Sequence, residues 1–264
     1  MESEQQQNPR VDVVVDNHVA TLVLNDEPRK NVMTEALGDA LAAAVAAVRQ
    51  REDVRAVVVT GAGTAFSGGG DLAMLERLRQ SSFSQARSHM LAFYARYLSL
   101  LDVEVPTIAA VRGPAIGAGL CVACACDLMV VADDATLAFN FVGLGLHPGM
   151  GATVLVERKV GAQRAAELLL TGRRFRGTEA AALGLAVEAV PADDVVARAQ
   201  AMAAVIAANG TAAVRELKRN LGVDRDRLQA ALEREASAQA RSYASAEMAE
   251  GLAAARERRP ARFI

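Results

Sequence analysis

Two stretches of this chain follow one plan. VRAVVVTGAGTAFSGGGDL and TIAAVRGPAIGAGLCVACACDL each run from an unbroken apolar strand through a glycine-rich bend into a helix. GLGLHPGMGATVL is a weaker third copy of the bend and helix. An unbroken apolar run suits a strand covered on both faces, as in a parallel sheet. Parallel neighbours need a crossover, and a helix supplies it. The alternation therefore predicts an α/β fold with a mainly parallel sheet. The copies are irregularly spaced, which excludes a solenoid of short strict repeats.

The remaining elements fall around this frame. Residues 11–25 alternate about Asp16-Asn17 and predict a hairpin. Thr34 is placed to cap a helix to about Arg51, with Leu37, Leu41, Val45 and Val48 at helical spacing. Residues 84–102 read as helix, DLMVVADD (127–134) as a third strand and ATLAFNF as a fourth. RRF (173–175) is a short strand between two helices that end in glycine, and AVEAVP is the last strand. From about Pro191 only helices follow. The expected division is a core over 1–195 and a helical assembly region over 196–264.

Composition narrows the function classes. With 52% hydrophobic and 23% charged residues, the 264-residue chain has ample material for a core. A net charge of -2 argues against a nucleic-acid partner. The opening MESEQQQNPR lacks the apolar centre of a signal peptide, and the uncharged run from Gly113 to Cys126 is too short to span a bilayer. Cys121, Cys124 and Cys126 make neither a disulfide framework nor a four-ligand metal set, and read as small core residues. No metal and no membrane partner is expected, and the localisation expected is cytoplasmic.

The bend in AFSGGGDLAML (65–75) holds three consecutive glycines. Glycine loses extra backbone entropy on folding, but it lets another molecule approach the main chain. The first N–H groups of a helix lack carbonyl partners and carry a partial positive charge. Two such bends, if they converge, can hold one developing oxyanion. Other glycine motifs fit less well. Gly61 and Gly63 are followed by Phe66 rather than a dinucleotide fingerprint, and no Gly-Lys-Ser/Thr ends a phosphate loop. Ser67 sits in F-S-G-G-G rather than in a nucleophile elbow.

PRKNVMT (28–34), AFSGGGDLAML, GPAIGAGLCVACACDL and GLGLHPGMGAT, in this order, resemble the landmarks of the enoyl-CoA hydratase/isomerase, or crotonase, superfamily. The resemblance implies a crotonase-like spiral of repeated ββα units with a C-terminal all-helical trimerisation region. It implies a homotrimer or a dimer of trimers. It implies an acyl-CoA thioester as ligand, with coenzyme A arriving on the substrate and no separate cofactor. By position in the motifs, the Gly70 and Ala118 N–H groups are the oxyanion donors. Arg29 and Lys30 fall near the CoA nucleotide, and the arginines of ARERRPARFI are candidates for its phosphates. Gly68, Gly69, Asp71, Leu72, Cys121 and Phe141 fall along the acyl or thioester region. Tyr94 and Tyr97 lie on a helix that lines the acyl pocket in this family.

One departure matters. A typical hydratase of the family carries two glutamates that flank the added water; the matching positions are Cys121 and Phe141. Neither replaces a carboxylate at neutral pH. The replacement candidates are Asp71, Glu76, His89 and His147, each with a plain structural use as cap, solvated charge or surface ring. The nominal expectation is an enoyl-CoA hydratase or isomerase. A decarboxylase or thioesterase on the same scaffold, and a non-catalytic acyl-CoA-binding protein, stand as alternatives.

Overall fold

The computed structural model describes residues 9–263. The polar opening segment, residues 1–8, and Ile264 lie outside the described residues. The chain opens with the hairpin of β1 (Arg10–Asp16) and β2 (Val19–Asn25), paired antiparallel with Val14 opposite Thr21. Its two-residue turn is Asn17-His18, one position later than expected, with φ of 46° and 67°. Positive φ at both central residues gives the twist that a tight hairpin requires.

Helix α1 (Glu35–Arg49) starts where Thr34 accepts the Leu37 N–H at 3.2 Å and buries Leu37, Leu41, Val45 and Val48. Strand β3 (Ala56–Gly61) is buried throughout. After the triple-glycine bend come α2 (Leu72–Arg79) and α3 (Phe83–Leu98). The helix expected over 84–102 is thus α3 followed by a 3-10 turn, Ser99–Asp102. Next are β4 (Thr107–Val111), the short β5 (Ala115–Ile116), the fully buried α4 (Ala118–Ala125) and β6 (Leu128–Ala132).

ATLAFNF yields only β7 (Thr136–Ala138), after which the chain turns into the third glycine loop. Helix α5 (Ala152–Thr171) is broken at Gly161, whose φ of 77° and ψ of 163° are not helical. Strand β8 (Arg174–Arg176), helix α6 (Gly177–Ala182) and strand β9 (Glu188–Val190) complete the mixed part. Helices α7 (Val195–Ala207), α8 (Thr211–Leu221), α9 (Arg225–Tyr243) and α10 (Ala246–Glu257) follow.

The main sheet has the order β1-β2-β3-β4-β6-β9, parallel from β2 onward. A second, smaller sheet has the order β5-β7-β8. Two single bridges, Met33 with Gly70 and Ser67 with Ala115, carry the same stacking back to the earlier turns. Each turn of chain thus gives one strand to the main sheet and one short segment to the second stack. That is a spiral of ββα turns, with the glycine bends side by side.

The boundary expected at 195/196 does not divide the structure. Helix α7 lies against β2, β3, β4 and β6, so the helical end begins as a cover of the sheet. Helix α9 packs along α3 and touches α5, and α10 rests on the third glycine loop and α2. Among the described residues, no helix is long and apolar enough to cross a membrane.

Candidate active site

The three glycines of the first bend have three different reasons. A Cβ at Gly68 would press on Val32 Cγ2 at 3.3 Å. Gly69 has φ of +92°, and its Cβ would meet the Ile116 carbonyl oxygen at 2.6 Å. Gly70 faces open space, with nothing within 4 Å of a Cβ. The first two glycines let turns of the spiral touch, and the third leaves room for something outside the chain.

Asn31 fixes this bend from the turn before it. Its side chain is buried, accepts the Asp26 N–H at 2.9 Å and donates to the carbonyls of Ala62 at 3.0 Å and Ala65 at 2.8 Å. Its own carbonyl accepts the Ser67 hydroxyl at 2.8 Å. Ser67 Oγ in turn accepts the Gly69 N–H at 3.2 Å. A Cβ on Gly119 of α4 would lie 2.6 Å from the Ser67 Cβ, so Gly119 lets α4 close on the bend. Ser67 is therefore a buried strut and not an exposed nucleophile.

A cavity of about 440 Å³ opens against both bends. Gly70 and Ala118 both line it. Gly70 immediately precedes the capping residue of α2, and Ala118 is the first residue of α4. Among the described residues, neither the Gly70 N–H nor the Ala118 N–H has a hydrogen-bond partner. Their neighbours are satisfied: the Gly68 N–H goes to the Lys30 carbonyl at 2.8 Å and the Gly117 N–H to the Ala138 carbonyl at 2.7 Å. Gly70 is half-buried and Ala118 is buried, so their two free N–H groups on one cavity wall are open to an acceptor that enters it.

Arg29, Gly68, Gly69, Asp71, Leu72 and Phe141 line the same cavity. Asp71 caps α2 by accepting the Ala73 N–H at 2.9 Å and pairs with Arg29 at 3.2 Å. Lys30 and Cys121 do not line it. Lys30 sits in the left-handed region with φ of 56° and is exposed. Cys121 is fully buried inside α4, and burial pushes its thiol well above the usual range. Cys121 is the fourth residue of α4, and by then the helix has turned that position into the core.

The other acid–base candidates also lie elsewhere. Glu76 pairs with Arg79 at 2.8 Å and with Arg256 of the basic tail at 3.1 Å. His89 lies 3.8 Å from Glu35, and its pKa is lowered, chiefly by burial. His147 lines a separate groove with Arg87, Arg234 and Arg241. Arg259 of the tail is held by Glu250 and Glu257. Tyr97 points away from the cavity, donating to the Thr34 carbonyl at 2.7 Å.

The inner wall holds Tyr94, on the helix expected to line the pocket, and also Gln239 and Tyr243, which sequence patterns do not announce. Tyr94 donates to Gln239 Oε1 at 2.7 Å, and Gln239 Nε2 donates to the His147 carbonyl at 2.9 Å. One turn along α9 on either side, Glu235 accepts the Gly151 N–H at 2.7 Å, and Tyr243 donates to Met90 Sδ at 3.3 Å. Spacing of four puts Glu235, Gln239 and Tyr243 on one helix face. Asn140 also lines the cavity, and the apolar part of the wall comprises Met74, Leu75, Met90, Phe93, Leu146 and Met150 among others. Among the described lining residues, Asp71 is the sole carboxylate.

Known proteins share this fold over most of its length. The family model for enoyl-CoA hydratase/isomerase matches residues 15–264. A Mycobacterium tuberculosis protein named "Probable enoyl-CoA hydratase EchA14" is 38% identical over 251 residues, covering 92% of this chain and 96% of the relative. The bacillaene synthase decarboxylase PksI of Bacillus subtilis is 29% identical over 226 residues, covering 84% and 88%. The crystal structure of an enoyl-CoA hydratase/isomerase from Pseudoalteromonas atlantica T6c superposes with a TM-score of 0.84 at 29% identity, covering 96% of this chain and 99% of that one. With its spiral of ββα turns and its paired glycine bends, the chain belongs to the enoyl-CoA hydratase/isomerase family, the crotonase superfamily.

Proposed function

We propose that the protein acts on an acyl-CoA thioester and stabilises its enolate with the main-chain N–H groups of Gly70 and Ala118. The observation that supports this reading is the pair of unpartnered N–H groups on one cavity wall. A thioester enolate places negative charge on one oxygen. Fixed N–H dipoles at the starts of α2 and α4 meet that charge without reorganising. Arg29, near the start of the first landmark, is placed to meet the CoA phosphates by charge-assisted hydrogen bonds. Coenzyme A comes with the substrate, and no further cofactor takes part. Assembly as a homotrimer or a dimer of trimers completes the proposal.

Among enolate reactions, the wall composition favours decarboxylation. Hydration needs one group to activate water and another to deliver a proton, within about 2.6–3.2 Å of the reacting atoms. Phe141 and the buried Cys121 supply neither. Asp71 is held by Arg29 and the α2 cap. Loss of carbon dioxide from a malonyl-type thioester breaks the bond between the α-carbon and the carboxylate, leaves its electron pair in the enolate and needs no base; a proton from water then completes the α-carbon of the product. Similarity to the decarboxylase PksI agrees with this choice. Mass spectrometry of purified protein with crotonyl-CoA and malonyl-type CoA esters tests it. Release of carbon dioxide without water addition is expected. Hydration of crotonyl-CoA at ordinary enzyme rates, on the order of 10 s⁻¹, would refute decarboxylation while leaving the thioester reading in place.

A further inference from the structure

The inner wall holds two tyrosine hydroxyls, and they are not equally occupied. Tyr94 donates to Gln239 Oε1 at 2.7 Å, and Gln239 is itself tied to the third glycine loop through the His147 carbonyl. Gly149 makes that approach feasible, because a Cβ there would stand 2.5 Å from the Tyr94 hydroxyl. The Tyr94 hydroxyl is thus built into the third glycine loop.

Tyr243 is 1% exposed, and its hydroxyl finds only Met90 Sδ, at 3.3 Å. A thioether sulfur is a weak acceptor on a flexible side chain. A buried hydroxyl ordinarily has an oxygen or nitrogen partner. Tyrosine O–H groups in particular find one when the ring is buried. Burial also raises the Tyr243 pKa, so the hydroxyl keeps its proton at neutral pH. Met90 and Tyr243 both line the cavity, together with Phe93, Leu146 and Met150. In that apolar setting the Tyr243 hydroxyl is a donor waiting for a better acceptor than sulfur.

We infer that Tyr243 is a specificity-determining residue whose hydroxyl donates to an oxygen on the acyl group of the substrate, beyond the thioester itself. The substrate class is an acyl-CoA carrying a carbonyl or carboxylate oxygen on an otherwise apolar chain. This inference rests on the acyl-thioester reading above. When such an oxygen enters, Met90 swings aside and the O–H turns from sulfur to the ligand. A plain hydrocarbon chain leaves the hydroxyl on its thioether.

The test is calorimetric binding of butyryl-CoA, acetoacetyl-CoA and succinyl-CoA, which have equal acyl length and carry no acceptor, a ketone or a carboxylate. The wild type is expected to bind one of the oxygenated esters about 10-fold or more tighter than butyryl-CoA. The ester preferred tells ketone from carboxylate. Tyr243→Phe is expected to abolish that preference while keeping butyryl-CoA affinity and Tm, because only a contact to sulfur is lost. Tyr94→Phe is expected to lower Tm, since it strips Gln239 of its donor. Equal binding of all three esters by the wild type would overturn the inference, as would a preference that survives Tyr243→Phe. Binding of none of them would overturn the thioester reading and this inference with it.

Discussion

Gly70 and Asn31 show what single positions contribute. Gly70→Ala keeps the N–H and puts a methyl in open space, so the chain should fold unchanged. Gly70→Pro removes the N–H. Loss of one oxyanion donor costs about 2.7–4 kcal/mol of transition-state stabilisation, or about 10²–10³ in kcat. Steady-state kinetics of the two variants on the same thioester checks this; equal rates would exclude a role for that amide. Asn31→Ala leaves the Asp26 N–H and the Ala62 and Ala65 carbonyls without their partner. Each orphaned buried group costs about 1–3 kcal/mol, so a total loss of about 3 kcal/mol or more is expected in denaturant unfolding. A loss below about 1 kcal/mol would show that water replaces the side chain at no cost.

At the scale of elements, α9 ties the third glycine loop to the rest of the spiral. Glu235 accepts the Gly151 and Thr153 N–H groups at 2.7 and 3.0 Å, and Gln239 holds the His147 carbonyl. Burial raises the Glu235 carboxyl above its ordinary 4.5. The folded chain therefore holds that proton more tightly than the unfolded chain. The stability this gives is full below pH 4.5 and is lost as pH rises through the raised folded value. Wild-type stability, measured relative to Glu235→Gln by urea unfolding, should fall between pH 4.5 and neutrality. A difference that stays flat or rises would contradict the assignment. The strand–bend–helix units, by contrast, were legible in the sequence because buried parallel strands leave an unbroken apolar run. The glycine bends were legible for the same kind of reason: few other roles explain three glycines in a row. Cys121 was misplaced because motif spacing gives a residue's neighbours but not the face its side chain takes on α4. Gln239 and Tyr243 went unseen because α9 is rich in charge and reads as a solvated helix; its polar face meets another part of the spiral.

For the whole molecule, the helical end is part of the core and of the cavity. Helix α7 covers the sheet, while Gln239, Tyr243 and Ala255 reach the cavity from α9 and α10. A chain ending at residue 195 should therefore lose cooperative unfolding and bind hydrophobic dye, as judged by calorimetry and fluorescence. Two-state melting of that fragment would establish 1–195 as an independent domain. Helix α8 buries none of its own residues and leaves Leu217 and Leu221 57% and 63% exposed. An apolar edge of this kind suits contact between copies. Light scattering should give three or six times the 27.7 kDa chain mass; a monomer would remove the assembly part of the proposal.

The most direct measurement is a crystal structure with a slowly turned-over acyl-CoA. The thioester oxygen should lie about 2.7–3.1 Å from both the Gly70 and the Ala118 nitrogen. A bound thioester whose oxygen meets neither amide, or only one, would contradict a shared oxyanion site.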